Sequence, residues 1–147
     1  MRISWPSLVL CWVLVPWALS PVAWTREKAD PRLREVKTVF VLGSNEAAEK
    51  VRSEIRKDTE KGKVCFSLAT KASDADATLE VTNDSQMQQG LLKTRNDRVT
   101  GTLTLRSGDL IWSKTDNFSD APLMSGVQTA AKLVYSRLKK DACQSRR

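Results

Sequence analysis

Alternating apolar and polar residues predict five short strands along the chain. In the clearest of them, residues 98–106, Val99, Leu103 and Leu105 fall on one face and the threonines on the other. The remaining runs are rich in apolar and β-branched residues, and they cover residues 36–42, 64–68, 77–82 and 110–114. The last of these follows a short turn, so we expect it to form a hairpin with residues 98–106.

Two features next to these strands carry specific expectations. Leu110 and Trp112 alternate in the last strand, so both should point into the core beside Leu103 and Leu105. Residues 83–97 are mostly polar and offer few apolar side chains to bury, which predicts a mobile loop rather than a strand.

Two other stretches have apolar residues at helical spacing. The first begins after Asn45 and ends near Gly62, and alanines together with Val51 and Ile55 form its apolar side. The second covers about residues 124–141, and its buried side is formed by Val127, Ala131, Val134 and Leu138.

The element order β-α-β-β-β-β-α predicts an α+β fold. Each amphipathic helix must bury one face, so both helices should cover the same side of a five-stranded sheet in a two-layer sandwich. A helix between the first two strands fits a right-handed crossover, which makes the sheet mixed. We expect a single domain over residues 36–143, preceded by a charged linker, residues 25–35, and followed by a basic tail, residues 144–147.

The first residues, 1–24, form a separate apolar segment. Arg2 is followed by an apolar run and then by small and turn-forming residues, which is the pattern of a secretory signal. The run is also close to the ~20 residues that span a bilayer. A cleaved signal peptide and an uncleaved membrane anchor are therefore both open, and either one places the domain in the periplasm or outside the cell. Leu10 stands before Cys11 where a lipoprotein signal requires a small residue, so we do not expect lipidation.

Positive charge is concentrated at the two ends of the exported part. The chain has a formal net charge of +7, and removing Arg2, the only charge before Arg26, leaves +6. A basic surface can attract an anionic polymer or an anionic membrane surface, whereas the acids interleaved in the middle favour an ordinary solvated surface. Aromatic and basic residues do not alternate, so we expect no specific nucleic-acid recognition. The basic residues of the ends are Arg26, Lys28, Arg32, Arg34 and Lys37, and Arg137, Lys139, Lys140, Arg146 and Arg147.

The chain contains no histidine. This excludes Ser-His-Asp and Cys-His catalytic schemes and zinc sites that use histidine. Asp74 and Asp76 could form a metal–phosphate motif and residues 116–120 a calcium-binding loop, but turn, cap and solvent roles explain both groups. Residues 43–45 join a strand to a helix without the repeated glycines of a nucleotide loop. We expect no catalytic, metal-binding or cofactor-binding residues and no cofactor.

Two cysteines, Cys65 and Cys143, lie outside the N-terminal segment. In an exported domain they favour a disulfide, which for a loop of this length stabilises by ~4 kcal/mol. The alternative is two unrelated thiols, one in a strand and one near the C terminus.

Two short motifs resemble a group of exported modules. Ala75-Asp76-Ala77 opens an apolar strand, and a Gly-x-x-x-Trp-Ser run from Gly108 to Ser113 closes the hairpin before the last helix. Across about residues 36–141 the chain resembles the bacterial α/β modules of the curli-secretion lipoproteins and of the N-terminal domain of the Tol-system protein TolB. The resemblance implies a non-enzymatic part in envelope assembly or docking. A lipobox, a pore-forming insertion and a following β-propeller are all missing, so the specific roles of those families do not carry over.

These features predict an exported, non-enzymatic binding or envelope-assembly module whose partner is an unidentified envelope or secreted protein. The contact should use an edge strand of the sheet or the polar stretch from Gln86 to Asn96. The alternative function is binding of an anionic polymer or an anionic membrane surface by the basic ends. A third hypothesis, from a different class, is a metal-dependent carboxylate enzyme built from the aspartates.

Overall fold

A computed structural model describes residues 29–88, 94–119 and 126–143 of the chain. The strands are β1 (Thr38–Leu42), β2 (Ser67–Leu68), β3 (Ala77–Gln88), β4 (Thr94–Leu105) and β5 (Leu110–Ser119). The helices are α1 (Glu46–Glu60) and α2 (Gly126–Cys143), with short 3-10 helices at Pro31–Arg34 and Ala72–Asp74. The predicted leader, residues 1–24, and the predicted basic tail, residues 144–147, lie outside the described residues.

The five strands form one mixed sheet in the order β2-β1-β3-β4-β5. β1 pairs in parallel with β2 and β3, whereas β3–β4 and β4–β5 are antiparallel. α1 packs on β1, β2 and β3, α2 packs on β4 and β5, and the helices contact each other, so both cover the same face. The predicted α+β sandwich with both helices on one side is therefore confirmed.

The two helices run side by side in the same direction. Near their starts Gln128 Nε2 donates to Glu46 Oε1 at 2.9 Å, and near their ends Lys139 Nζ donates to Asp58 Oδ2 at 2.6 Å. The strand order explains this, because β1 and β5, which precede the helices, point the same way across the sheet. The C-terminal halves of α1 and α2 consequently lie together at one end of the molecule.

Local sequence explains where each helix is seated. Asn45 caps α1, since its side chain accepts from the Ala48 N–H at 2.8 Å and donates to Val81 O at 2.8 Å. α2 approaches β4 closely at Gly101, where a Cβ atom would lie only 2.6 Å from Val134 Cγ1. Glycine at this position therefore sets the distance between α2 and the sheet.

The structure corrects the prediction of a loop over residues 83–97. β3 continues to Gln88 and β4 begins at Thr94, so residues 83–88 and 94–97 pair as antiparallel strands. Polar pairs replace apolar burial there: Ser85 Oγ donates to Asp97 Oδ1 at 2.6 Å, and Ser119 Oγ of β5 donates to Asn96 Oδ1 at 2.9 Å. Apolar alternation cannot reveal strands that are joined in this way.

A β-bulge explains a second difference, the exposure of Leu110. Leu103 pairs with Trp112 and Thr104 pairs with Leu110, so Ile111 is the additional residue of β5. Ile111 and Trp112 are both buried, while Leu110 turns to the face of Thr104 and is 59% exposed. The prediction that Leu110 points into the core is wrong, and the prediction for Trp112 is confirmed.

The core extends into the segment predicted to be a linker, residues 25–35. Leu33, in the 3-10 helix of that segment, is 1% exposed and belongs to the hydrophobic core. Arg32 attaches the same helix to the turn between β4 and β5 through a 2.9 Å ion pair with Asp109. The described part of this segment, from Ala29 onward, is therefore packed on the domain.

Candidate functional site

The predicted aspartate pair on the loop before β3 has a structural role. Asp76 Oδ2 accepts the backbone N–H groups of Lys37 and Thr38, each at 2.9 Å, and so fixes the start of β1. These hydrogen bonds hold the pKa of Asp76 below its ordinary value, and the one from Lys37 has the largest effect. Asp74 accepts instead from the Ser73 hydroxyl at 2.9 Å. Both carboxylates are thus used by neighbouring groups.

The second predicted cluster, residues 116–120, is divided between the two faces of β5. Asp116 is buried on the helix side, where its Oδ2 lies 2.7 Å from Arg137 Nε. Asn117 lies on the opposite face and accepts from Arg98 Nε at 3.3 Å. Asp120 is outside the described residues. Across residues 29–88, 94–119 and 126–143 there is no group of three or more Cys, Asp or Glu residues arranged to hold a metal ion.

The side chain of Arg52 packs against the turn between β1 and α1. The Arg52 guanidinium donates to the carbonyl of Val41 at 2.9 Å and also to the carbonyl of Gly43. Together with the Asn45 cap, these contacts give the turn at residues 43–45 the structural role that the sequence indicates.

Several cations of the predicted basic ends are held in ion pairs. Arg32 binds Asp30 at 2.8 Å as well as Asp109. Arg137 binds Asp116, and Lys139 binds Asp58 at 2.6 Å. The described part of the two ends therefore presents less unpaired positive charge than its sequence suggests.

A groove between the C-terminal halves of α1 and α2 collects positive charge instead. We call it the helix groove; its volume is about 780 Å³. Its charged lining comprises four lysines against two carboxylates. The lining residues are Glu54, Asp58, Lys63, Lys132, Tyr135, Ser136, Lys139, Lys140 and Cys143.

The two carboxylates of the helix groove already have cationic partners. The hydrogen bond from Lys139 is the main reason that the pKa of Asp58 lies below its ordinary value. The Tyr135 hydroxyl, which donates to Asp58 at 2.9 Å, lowers it further. Glu54 lies 3.0 Å from Lys50, and this contact is the main reason that the pKa of Glu54 is lowered. Burial first, and then the Asp58 carboxylate, raise the pKa of Tyr135 far above its ordinary range. Both acids are accordingly ionised and Tyr135 is protonated near neutral pH.

Three lysines of the helix groove form no salt bridge with a described carboxylate. Lys63, Lys132 and Lys140 form no salt bridge with any residue in the part of the chain that the structure describes. Lys63 comes from the segment after α1, and Lys132 and Lys140 lie about two helical turns apart on α2. The groove thus brings Lys63 together with Lys132 and Lys140, which lie 69 and 77 positions later in the chain.

A disulfide closes one end of the helix groove. It joins Cys65, just before β2, to Cys143 at the end of α2, with 78 positions between them and 5.5 Å between their Cα atoms. This is the pair that the sequence favours. The bond fixes the end of α2 to the segment that follows α1, so it also fixes the two walls of the groove relative to each other.

The opposite side of the sheet ends in β5, a ten-residue strand whose only strand neighbour among the described residues is β4. Its outward-facing side chains form a neutral row, Ser113, Thr115, Asn117 and Ser119. A second groove, of about 470 Å³, lies at the start of β5 beside Leu110 and Pro31. Trp112 lines it and donates from Nε1 to Asp141 Oδ2 at 2.9 Å.

Sequence reasoning missed the helix groove, although part of its signal is visible in α2. Lys132, Ser136, Lys139 and Cys143 follow helical spacing and therefore share one side of the helix. The contribution of α1 could not be read from the sequence, because it depends on the parallel arrangement of the two helices.

The chain matches no model of a protein family and no curated protein sequence. Among the helices that the structure describes, none is long and apolar enough to cross a membrane.

Solved bacterial structures share the fold. PelC from Paraburkholderia phytofirmans, solved as a dodecamer, aligns with a TM-score of 0.52 and 17% identity over 78% of this chain and 93% of that chain. A minor lipoprotein from Acinetobacter baumannii aligns with a TM-score of 0.50 and 15% identity, over 75% and 92% of the two chains. The hypothetical protein CT253 from Chlamydia trachomatis aligns with a TM-score of 0.55 and 10% identity, over 74% and 98%.

At these identities the comparisons establish the fold alone. One of these structures is a bacterial lipoprotein, so the fold is one that a bacterial lipoprotein also adopts, which agrees in part with the resemblance drawn from the sequence. The narrower resemblance to the curli-secretion and TolB modules stays a prediction.

Proposed function

We propose that the protein is an exported, non-enzymatic envelope module that assembles with further copies of itself through the edge of β5. The observation that carries this proposal is the length of that edge, ten residues with a single strand partner among the described residues. The apolar leader and a fold shared with lipoproteins support export to the envelope. The missing histidine and the structural use of the aspartates support a role other than catalysis.

An edge strand presents unpaired N–H and C=O groups that can pair with another strand. Proteins that avoid such pairing place lysine or proline on the edge, point charged side chains inward, bend the edge with bulges, or keep it very short. β5 contains Lys114 and the buried Asp116, but both lie on the helix side of the strand and leave its outward row uncharged. The one irregularity of β5 lies at its start, and from Trp112 to Ser119 the pairing with β4 is in continuous register. The edge is therefore regular over most of its length.

A second copy of the same chain is the partner that this edge fits best. The outward row from Ser113 to Ser119 is neutral, so two copies can pair without placing like charges in contact on that face of the strand. PelC, which shares the fold, was solved as a dodecamer, and this supports self-association as a use of the fold.

The proposal is tested by sedimentation velocity on the protein purified from an exporting host. We expect the wild type to sediment as an oligomer and a Ser113→Lys/Thr115→Lys variant to sediment as a monomer, because charge on the edge opposes pairing. The matched control is Thr100→Lys/Thr102→Lys, which places the same charge opposite those positions on β4. A monomeric wild type, or equal dissociation of both variants, would contradict the proposal.

The alternative function, binding of an anionic polymer or membrane by the basic ends, is weakened because Arg32, Arg137 and Lys139 are held in ion pairs. Lys140 of the same C-terminal end forms no salt bridge among the described residues. Together with Lys63 and Lys132, which likewise form none among these residues, it lines the helix groove, which is a different surface from the edge of β5.

A further inference from the structure

We propose that the helix groove binds a segment of an acidic polysaccharide, a chain of sugars that carry carboxylate groups. This inference does not depend on assembly through β5, because the groove lies between the helices and shares no lining residue with that edge.

The first argument is charge. Six lysines stand in or beside the helix groove, and its two carboxylates are held by three of them, since Lys50 and Lys57 flank Glu54 and Lys139 binds Asp58. The other three, Lys63, Lys132 and Lys140, form no salt bridge with a described carboxylate, although Lys132 lies near Glu54 and Lys63 near Asp58. The lysines in and beside the groove therefore still outnumber its carboxylates. Three cations around one concave surface attract an anionic ligand.

The second argument is the mixture of polar groups between the lysines. The Ser136 hydroxyl donates to Lys132 O at 2.8 Å, so its oxygen is available as an acceptor. The Asp58 and Glu54 carboxylates also have lone pairs beyond those used by their lysines. Sugar hydroxyls can donate to these acceptors while sugar carboxylates contact the lysines. A ligand that carries both groups therefore fits the lining better than a purely anionic one.

The same lining argues against a lipid surface as the ligand. A membrane-binding surface combines cations with exposed apolar side chains that enter the bilayer. Leu133 is the exposed large apolar residue of α2, and it does not line the helix groove. Among the described residues the groove is lined by lysines, carboxylates, a serine, a tyrosine and a disulfide-bonded cysteine, so it offers no aliphatic side chain to enter a bilayer.

The third argument is rigidity. Asp58 accepts from Tyr135 and Lys139 of the opposite helix, and the Cys65–Cys143 bond fixes the end of the groove. Binding to a surface that is already ordered loses little conformational entropy, which favours a weakly held polar ligand.

The experiment is calorimetric titration of the protein, purified from an exporting host, with a short oligogalacturonate. The methyl ester of the same oligosaccharide keeps the hydroxyls and removes the charge, so it should not bind. A Lys132→Gln/Lys140→Gln variant should bind the acid about tenfold more weakly, since each exposed charge pair contributes modestly. A Lys132→Arg/Lys140→Arg variant should retain binding.

The matched control variant is Lys71→Gln/Arg106→Gln, which removes the same charge from residues outside the groove and should leave binding unchanged. All variants should melt like the wild type by circular dichroism, and the groove variants should sediment like the wild type. A failure of binding with normal assembly would therefore refute this inference without refuting the proposed function.

Three results would overturn the inference. Equal weakening in the groove and control variants would indicate attraction to net charge alone. Binding of a polyglutamate peptide as strong as that of the oligogalacturonate would show that the hydroxyls contribute nothing. Binding to vesicles of phosphatidylglycerol and phosphatidylcholine that is lost in the groove variant would assign the groove to a membrane surface.

Discussion

The two edges of the sheet differ in length and in what lies beside them. β2 has only two residues, and a disulfide joins the segment directly before it to the end of α2. β5 has ten residues, and among the described residues only β4 pairs with it. One side of the molecule is thus fixed by a covalent bond and helix–helix contacts, and the other side keeps a long edge open.

This difference suggests that one side of the sheet mainly stabilises the fold, whereas the other side is available for association. The disulfide and the ion pair between the helices lie where α1, α2 and β2 meet, and they also shape the helix groove. β5 packs against β4 and α2 through its inward side chains, but its outward row is exposed, so changes in that row should affect association more than folding. Substitutions on the two sides of the sheet should therefore have effects of different size and kind.

The largest effect is expected from removing the disulfide at the closed side. A Cys65→Ser/Cys143→Ser variant should lose about 4 kcal/mol of unfolding free energy, because the bond restricts a long loop of the unfolded chain. Urea unfolding of the variant and of the wild type with and without reductant measures this loss. Reduction should reproduce the loss in the wild type only. A loss below about 1 kcal/mol would show that the closed side does not depend on the bond.

The next largest effect is expected where α2 rests on the sheet between the two sides. A Gly101→Ala variant adds a Cβ atom 2.6 Å from Val134 Cγ1 and 3.1 Å from Trp112 Cζ3, so the helix must move. We expect a loss of about 1–3 kcal/mol in urea unfolding. Thr102→Ala, on the same strand and the opposite face, is the control and should change stability by less than about 0.5 kcal/mol. Similar losses in both variants would mean that the close approach of α2 is unimportant.

A smaller, pH-dependent effect is expected at the ion pair between the helices. Asp58→Asn should cost about 1–2 kcal/mol at neutral pH, because Lys139 loses its carboxylate partner while Tyr135 keeps an acceptor. The folded pKa of Asp58 lies below its ordinary value of 3.8, so its stabilisation is present above that value and is lost as the pH falls through the folded pKa. Urea unfolding of both proteins should therefore converge in strong acid. A difference that stays constant with pH would contradict the ion-pair explanation.

The smallest effect on folding is expected at the open edge. Ser113→Lys/Thr115→Lys should change the unfolding free energy of the dissociated protein by less than about 0.5 kcal/mol, because both side chains are exposed. Urea unfolding at a concentration where the wild type is monomeric measures this. A large loss would show that the edge row is needed for the fold itself, which would remove the distinction between the two sides.

Periodic patterns in the sequence predict the helices, the sheet class and the approximate strand positions, because each depends on burying an apolar face. These patterns fail where an element forms, or a side chain turns outward, for a reason other than burial of an apolar face. The hairpin extension is joined by polar pairs such as Ser85–Asp97, and the bulge at Ile111 turns Leu110 outward without any change in apolar spacing. Leu33 is a single apolar residue in a charged segment, too short a signal to indicate burial.

The candidate surfaces were less accessible from sequence than the fold. The helix groove requires Asp58 and Lys139, 81 positions apart, to meet across two parallel helices. The edge of β5 requires the strand order, in which the last strand has no second neighbour among the described residues. Both features depend on the tertiary structure, and they cannot be predicted from residue types and their spacing. The cysteine pair was predictable because exported domains commonly use such pairs.

Amide hydrogen exchange as a function of protein concentration tests the open edge most directly. If β5 pairs with a second copy, the outward N–H groups between Leu110 and Ser119 should become protected as concentration rises, while those of β1 and β2 stay unchanged. Protection in β5 that does not change with concentration, or that appears instead on α1 and α2, would contradict assembly through this edge.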